Sequence, residues 1–213
     1  MDFRNEKIVC YISGCSSFYN KIIHVFMRKT AALLFLSILI LLTGCGSSKQ
    51  ATSTLVGGDY DAAKNVTEYF VIPYGSVSLP GKWEKGKYDQ SSRQQFFRNE
   101  ESVVVAIAFG PFNKYEFNME GSLKGHDFVE AFYKWESEFY KAAGFECTIL
   151  ENDSANPYLL FKVVGHDANT VFLYGEKNGG VSNFSVQTAD KWTEAEKIQF
   201  LKTLFLTSAK DGK

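Results

Sequence analysis

Apolar positions along this chain fall into three regimes. Residues 33–42 form an almost unbroken apolar run. Residues 46–65 hold few large apolar side chains. From residue 66 onward, short alternating stretches are separated by turn residues. In the third regime, β-branched and aromatic residues predict a strand over 66–72. Pro73 interrupts it, and alternation at Val77 and Leu79 continues it over 74–79, up to a turn at Pro80-Gly81 before Trp83. A hairpin is expected from 93–98 and 102–109 around Asn99-Glu100-Glu101. The apolar stretch 103–109 predicts a central strand buried on both faces.

Residues 110–125 read as a long irregular connection containing Gly121 and Gly125. Phe128, Phe132, Trp135, Phe139 and Ala142 then recur at steps of four and three, the apolar stripe of a helix over 127–143. Asp127 and Glu130 are placed to start it and Gly144 to stop it, and Glu130 and Lys134 pair at i,i+4 on its outer side. Strands follow over 145–150, 158–164, 170–174 and, after the turn Asn178-Gly179-Gly180, 181–187. A last helix over 194–206 has capping-box spacing at Thr193 and Glu196 and buries Ile198, Leu201 and Phe205. Strands, one helix, strands and one helix argue for an α+β domain over 66–208. The expected architecture is an antiparallel sheet flanked by two main helices, not alternating βαβ units. Residues 209–213 read as a polar tail.

The first regime carries an address. Met27-Arg28-Lys29, the apolar run and small residues ending at Cys45 follow the order of a secretory signal over 27–44. The run is shorter than the roughly 20 residues that span a bilayer. Leu42-Thr43-Gly44-Cys45 resembles the lipobox of bacterial lipoproteins. The resemblance implies cleavage between Gly44 and Cys45 and attachment of lipid to the Cys45 thiol, with palmitate-type acyl chains as the membrane anchor. Two or more chains anchor stably, at about 0.8 kcal/mol per buried CH₂. Met27 is then the expected initiator, with residues 1–26 an over-extended start. Cys10, Cys15 and His24 belong to no site of the mature protein. Gly46 after the lipidated cysteine resembles an outer-membrane, periplasm-facing address if the host has two membranes. Residues 45–65, with the lipidated Cys45 at their start, read as a flexible tether.

Within the domain, Tyr74-Gly75-Ser76-Val77-Ser78-Leu79-Pro80-Gly81-Lys82-Trp83 resembles the Mog1/PsbP-like superfamily, in which an early strand ends in a Pro-x-x-Trp-like turn. The four residues Pro80 to Trp83 carry the likeness. It implies a small antiparallel sheet with helices and a binding or accessory role more often than catalysis, and it transfers no functional residues.

Composition narrows the rest. The chain has 23 Lys and Arg against 24 Asp and Glu. With residues 1–44 set aside, the balance is about -4, with no basic run, so no nucleic-acid partner is expected. Aromatics make up 15% of the chain, ample for a core. Cys147 is the one cysteine inside the domain, so no internal disulfide forms; it reads as a small buried apolar side chain.

Candidate chemistry is sparse. His126 and His166 each stand in Gly-His-Asp, which invites metal or acid–base readings. Asp127 is already explained by a helix start, however, and Asp167 by a turn. Glu100, Glu101, Glu136 and Glu138 read as solvated carboxylates. No nucleophile elbow, phosphate loop or CxxC occurs. Phe96, Phe97, Phe109, Phe112, Tyr115 and Phe117 crowd around the long connection. They read either as core plus a covered sheet edge or as an apolar groove with 110–125 as its rim. No catalytic, cofactor-binding or metal-ligating residue is assigned. The expected function is a lipid-anchored, non-enzymatic envelope module for a protein or apolar small-molecule partner. The alternatives are an envelope hydrolase or other enzyme with an unrecognised site, and a structural or assembly factor.

Overall fold

Seven antiparallel strands in the order β5-β6-β7-β11-β10-β9-β8 form the main sheet of the computed structural model, which describes residues 54–210. They are β5 (Glu84–Asp89), β6 (Gln94–Arg98), β7 (Val104–Gly110), β8 (Glu146–Asn152), β9 (Tyr158–Gly165), β10 (Ala168–Lys177) and β11 (Gly180–Val186). A four-stranded sheet precedes it, with β3 (Val66–Ile72) at its centre. Along β3 pair β1 (Leu55–Gly57), β2 (Tyr60–Asp61) and β4 (Gly75–Pro80). The helices are α1 (Gly125–Ala142) and α2 (Glu194–Thr207). The described residues belong to one compact unit, Ser53–Lys213.

The α+β class and the antiparallel pairing follow the sequence expectation, and the apolar stretch ending at Phe109 does lie inside the sheet. β7 is buried from Val105 to Gly110, and its neighbour β11 is buried throughout. Alternation sends successive side chains to two different cores. Val105, Ile107 and Phe109 of β7 join Leu173, Phe184, Leu201 and Phe205 on one face. Phe161, Phe172 and Tyr174 join Phe128, Val129 and Phe132 on the other. The two helices thus lie on opposite faces. α2 shares its face with the small sheet, whose Tyr69, Val71, Val77 and Leu79 complete that core.

The small sheet corrects the expected tether. Residues 55–57 and 60–61, placed in a flexible stretch by their composition, are strands because they pair with β3, at Leu55↔Ile72 and Tyr60↔Thr67. Residues 45–53 lie outside the described residues. At the other end, Ala209 of the expected polar tail pairs with Ser76 of β4. Strand β5 was not legible either. Glu84-Lys85-Gly86-Lys87-Tyr88-Asp89 has no apolar alternation because it is an edge strand with mainly exposed side chains.

Helix α1 departs from its expected stripe. Its buried residues are Phe128, Val129, Phe132 and Ser137, whereas Trp135 is 37% and Phe139 68% exposed. The buried face therefore turns toward Val129, Tyr133, Glu136 and Tyr140. Its start also differs from expectation. The cap position is Lys124, which has no side-chain acceptor. Glu176 on β10 supplies the missing carboxylate by accepting from the Gly125 amide. The end at Gly144 is as expected. With φ +85, Gly144 donates to Lys141 O at 3.0 Å, and Phe145 donates to Tyr140 O at 3.0 Å, the two bonds of a Schellman stop. The capping box of α2 forms: Thr193 N donates to Glu196 Oε2 at 2.7 Å and Glu196 N to Thr193 Oγ1 at 3.3 Å.

Residues 110–125 are ordered by one side chain. Two 3-10 turns, Phe112–Lys114 and Glu116–Asn118, bring Asn118 into the interior. Its Nδ2 donates to Phe112 O at 3.3 Å and Leu123 O at 3.1 Å, while its Oδ1 accepts from Leu123 N at 2.9 Å. Asn118→Ala strands these backbone groups and is expected to cost about 1–3 kcal/mol, read as a lower urea midpoint at unchanged m-value. A loss below about 0.5 kcal/mol would show that water replaces the side chain.

Candidate functional site

The connection pinned by Asn118 forms one wall of a cleft of about 290 Å³. Lys114, Tyr115 and Glu116 stand on that wall. Phe132, Trp135, Glu136 and Tyr140 of α1 face them, Ser91 to Arg93 close the rim, and Asn183 and Phe172 form the floor. Space exists there because β7 is asymmetric. Its large residues point to the α2 face, so Ala106 and Ala108 are what it turns toward α1. Ala108 registers with Asn183, and Asn183 with Tyr174, in a row running under the cleft. Gln94 Nε2 donates to Asn183 Oδ1 at 3.2 Å and fixes that amide.

Local chain geometry places the two cations. Asp89 Oδ1 accepts from Ser91 N at 2.9 Å and Ser92 N at 2.8 Å, an Asx turn that delivers Arg93 with φ +55. The Lys114 stem runs over Gly110, where a Cβ would lie 3.0 Å from Lys114 Cδ and would press the side chain aside. Lys114 Nζ stands 4.9 Å from the Tyr115 ring centroid. It makes no ion pair among the described residues. Burial, then the neighbouring Arg93 charge, pushes its amine down to about 8. Arg93 and Lys114 also line an adjoining cleft of about 240 Å³ beside Tyr69, Tyr74 and Tyr88.

Glu136 faces inward among tyrosines. Burial raises its carboxyl above the ordinary value, against a smaller opposing pull from Tyr174. Burial also raises the hydroxyls of Tyr115, Tyr140 and Tyr174, and the Glu136 charge adds to each. All three therefore stay protonated. The buried hydroxyl of Tyr115 has no hydrogen-bond partner, whereas that of Tyr174 lies against the Glu136 carboxyl, outside the geometry of a full hydrogen bond. Tyr174 stacks on Phe132 at 3.9 Å between centroids, which holds it under the helix. Among the described residues these are the only buried side-chain polar atoms without a full hydrogen bond, and the charge of Glu136 acts on both. A larger depression of about 740 Å³ beside Trp83 and the Asn99–Ser102 turn holds no such group.

The residues singled out from sequence scatter. His126 stands at the start of α1, and His166, with φ +49, packs on Phe145 beyond its end, 5.1 Å between rings. Eighteen helical residues put these ends about 27 Å apart, so the two Gly-His-Asp segments share no site. No group of three metal-ligating side chains occurs among the described residues. Glu100, Glu101 and Glu138 are exposed, but Glu136 is not the solvated carboxylate expected, because it shares the inner face with Phe132 and Tyr140. That i,i+4 register was the signal. Cys147 is half-buried, its Sγ 3.9 Å from Ser137 O. Of the clustered aromatics, Phe97 and Phe109 belong to the α2-side core, Phe112 and Tyr115 to the α1-side core. Cys45 and Gly44 lie outside the described residues.

Pro80 to Trp83, which carry the superfamily resemblance, form a structural turn. Trp83 Nε1 donates to Pro80 O at 2.8 Å, and Trp83 N donates to Thr67 Oγ1 at 2.8 Å. No protein-family model matches the chain, and no curated protein matches it. Among solved structures it is similar to cyanobacterial PsbP (CyanoP) from Synechocystis sp. PCC 6803. The TM-score is 0.42 at 14% identity, over 78% of this chain and 98% of that one. Among the described residues, no helix is long and apolar enough to cross a membrane.

The Lys114 amine sets a pH dependence. Its folded value of about 8 lies below the 10.5 of a free lysine. Between those values the unfolded chain binds more protons, so stability rises with pH across that window; below it the cost is constant. Lys114→Met is expected to raise stability at neutral pH by about 1 kcal/mol, allowing for solvent at its partly exposed stem, and to flatten that rise. Urea midpoints at neutral pH and near pH 10 check this; an unaltered slope would show the amine hydrated when folded.

Proposed function

We propose that this chain is a lipid-anchored cell-envelope protein whose domain binds a small ligand in the cleft between α1 and the 110–125 connection. The binding reading rests on one observation: a concave site where Lys114 and Glu136 stand on facing walls and neither has an ion partner among the described residues. Buried polar groups that stabilise nothing in the free protein are suited to a guest that satisfies them. The address rests on Leu42-Thr43-Gly44-Cys45 after an apolar run. An acylated Cys45 would hold the domain at a membrane surface, on the periplasmic face of an outer membrane where the host has two membranes. The role is that of a binding or accessory module, in keeping with the superfamily that Pro80-Gly81-Lys82-Trp83 resembles.

A second reading draws on the same pair of groups. A raised carboxyl and a lowered amine in one cleft are also what proton transfer uses. The fate of the ligand separates the two.

Cys45→Ser is expected to abolish incorporation of labelled palmitate and to move the protein from the membrane to the soluble fraction; retained label would overturn the anchor. Native mass spectrometry of the full chain from detergent is expected to show a co-purifying small molecule that Lys114→Met releases. Recovery of that molecule unchanged after incubation supports binding, and its conversion supports an enzyme. A ligand retained equally by Lys114→Met overturns the cleft as its site.

A further inference from the structure

The cleft keeps opposite charges apart. Lys114 and Glu136 line the same opening from facing walls, yet neither enters an ion pair among the described residues. The fold could have neutralised both by letting them meet. Instead Tyr115, Phe132 and Trp135 stand along the same walls, their rings in mutual contact at centroid distances of 4.5 to 6.3 Å.

We propose that this cleft receives a small zwitterion, a molecule carrying a carboxylate and an ammonium group on an apolar or aromatic body. The inference rests on the reading of the cleft as a ligand site and names the chemistry it takes. The carboxylate pairs with Lys114, with Arg93 of the rim beside it. The ammonium pairs with Glu136, which the rings of Tyr115, Phe132 and Trp135 flank along the cleft. The aromatic walls favour a cation at their faces and cover the body of the guest. A guest with a single charge would leave either Lys114 or Glu136 buried and uncompensated, which is costly. A guest with both charges compensates the two at once. At about 290 Å³ the site lies at the small end of ligand pockets, which points to an amino-acid-sized molecule.

The test is calorimetric titration of the full lipidated chain in detergent micelles with L-phenylalanine, L-tyrosine, L-leucine, L-lysine and γ-aminobutyrate. Two half-molecules accompany them: 3-phenylpropanoate, without the amine, and 2-phenylethylamine, without the carboxylate. At least one zwitterion is expected to bind, with each half-molecule about tenfold or more weaker. Glu136→Gln should weaken the zwitterion and leave 3-phenylpropanoate unaffected. Lys114→Met should weaken the zwitterion and leave 2-phenylethylamine unaffected. Circular dichroism checks that both variants fold; should either fail, the half-molecule comparison on the unaltered protein decides. No binding by any zwitterion at about 10 mM, or half-molecules that bind as well as the whole, overturns the proposal. A co-purifying ligand of other chemistry released by Lys114→Met would sink the zwitterion and leave the ligand site standing.

Discussion

Strands β7, β11 and β10 are buried on both faces, and the molecule is organised around that burial. A strand with no water on either side must satisfy each amide and carbonyl within its ladder, which fixes the register from Val105↔Val186 through Leu173↔Phe184. It also needs a cover on both sides, and the two covers differ. The α2 face is filled by a helix and a second sheet, with large apolar residues from every layer. The α1 face is covered by one helix and an irregular segment, opposite a β7 that offers alanines.

That asymmetry creates the site. The thinner side leaves an opening where α1 meets the 110–125 connection. The connection is rigid because Asn118 satisfies its backbone from within, so the Lys114 wall is held in place without a ligand. Preformed walls reduce the ordering cost of binding. The charged groups they present have no ion partner among the described residues: an amine lowered by burial and a carboxyl raised by it. Natural folds carry such groups where function requires them.

The proposed address and the proposed site make one physical picture. An acylated Cys45 would hold the domain at a membrane surface, on a stretch of chain that ends where Leu55 enters the small sheet. A domain fixed there would meet solutes that cross the envelope, among which small charged molecules cannot enter lipid and need a protein to receive them.

The sequence by itself determined the α+β class, the doubly buried central strand, both helices, the stop of α1 and the start of α2, because periodicity, a capping box and a C′ glycine are local signals. It also carries the whole case for Cys45, a motif read in one short segment. It did not reveal β1, β2 and β5, short or polar segments that become strands because β3 and β6 supply the pairing. It misplaced the inner face of α1 by one position, choosing Trp135 and Phe139 over Glu136 and Tyr140. A period of 3.6 lets either set follow Phe132, and only the sheet beneath decides between them. The two histidines drew attention because their motif repeats, yet the helix between them holds them apart. The cleft was decided by tertiary structure alone, since Arg93, Lys114, Glu136, Phe172 and Asn183 come from five separate segments. Each is unremarkable in its own segment, and they share one opening only once the layers have closed.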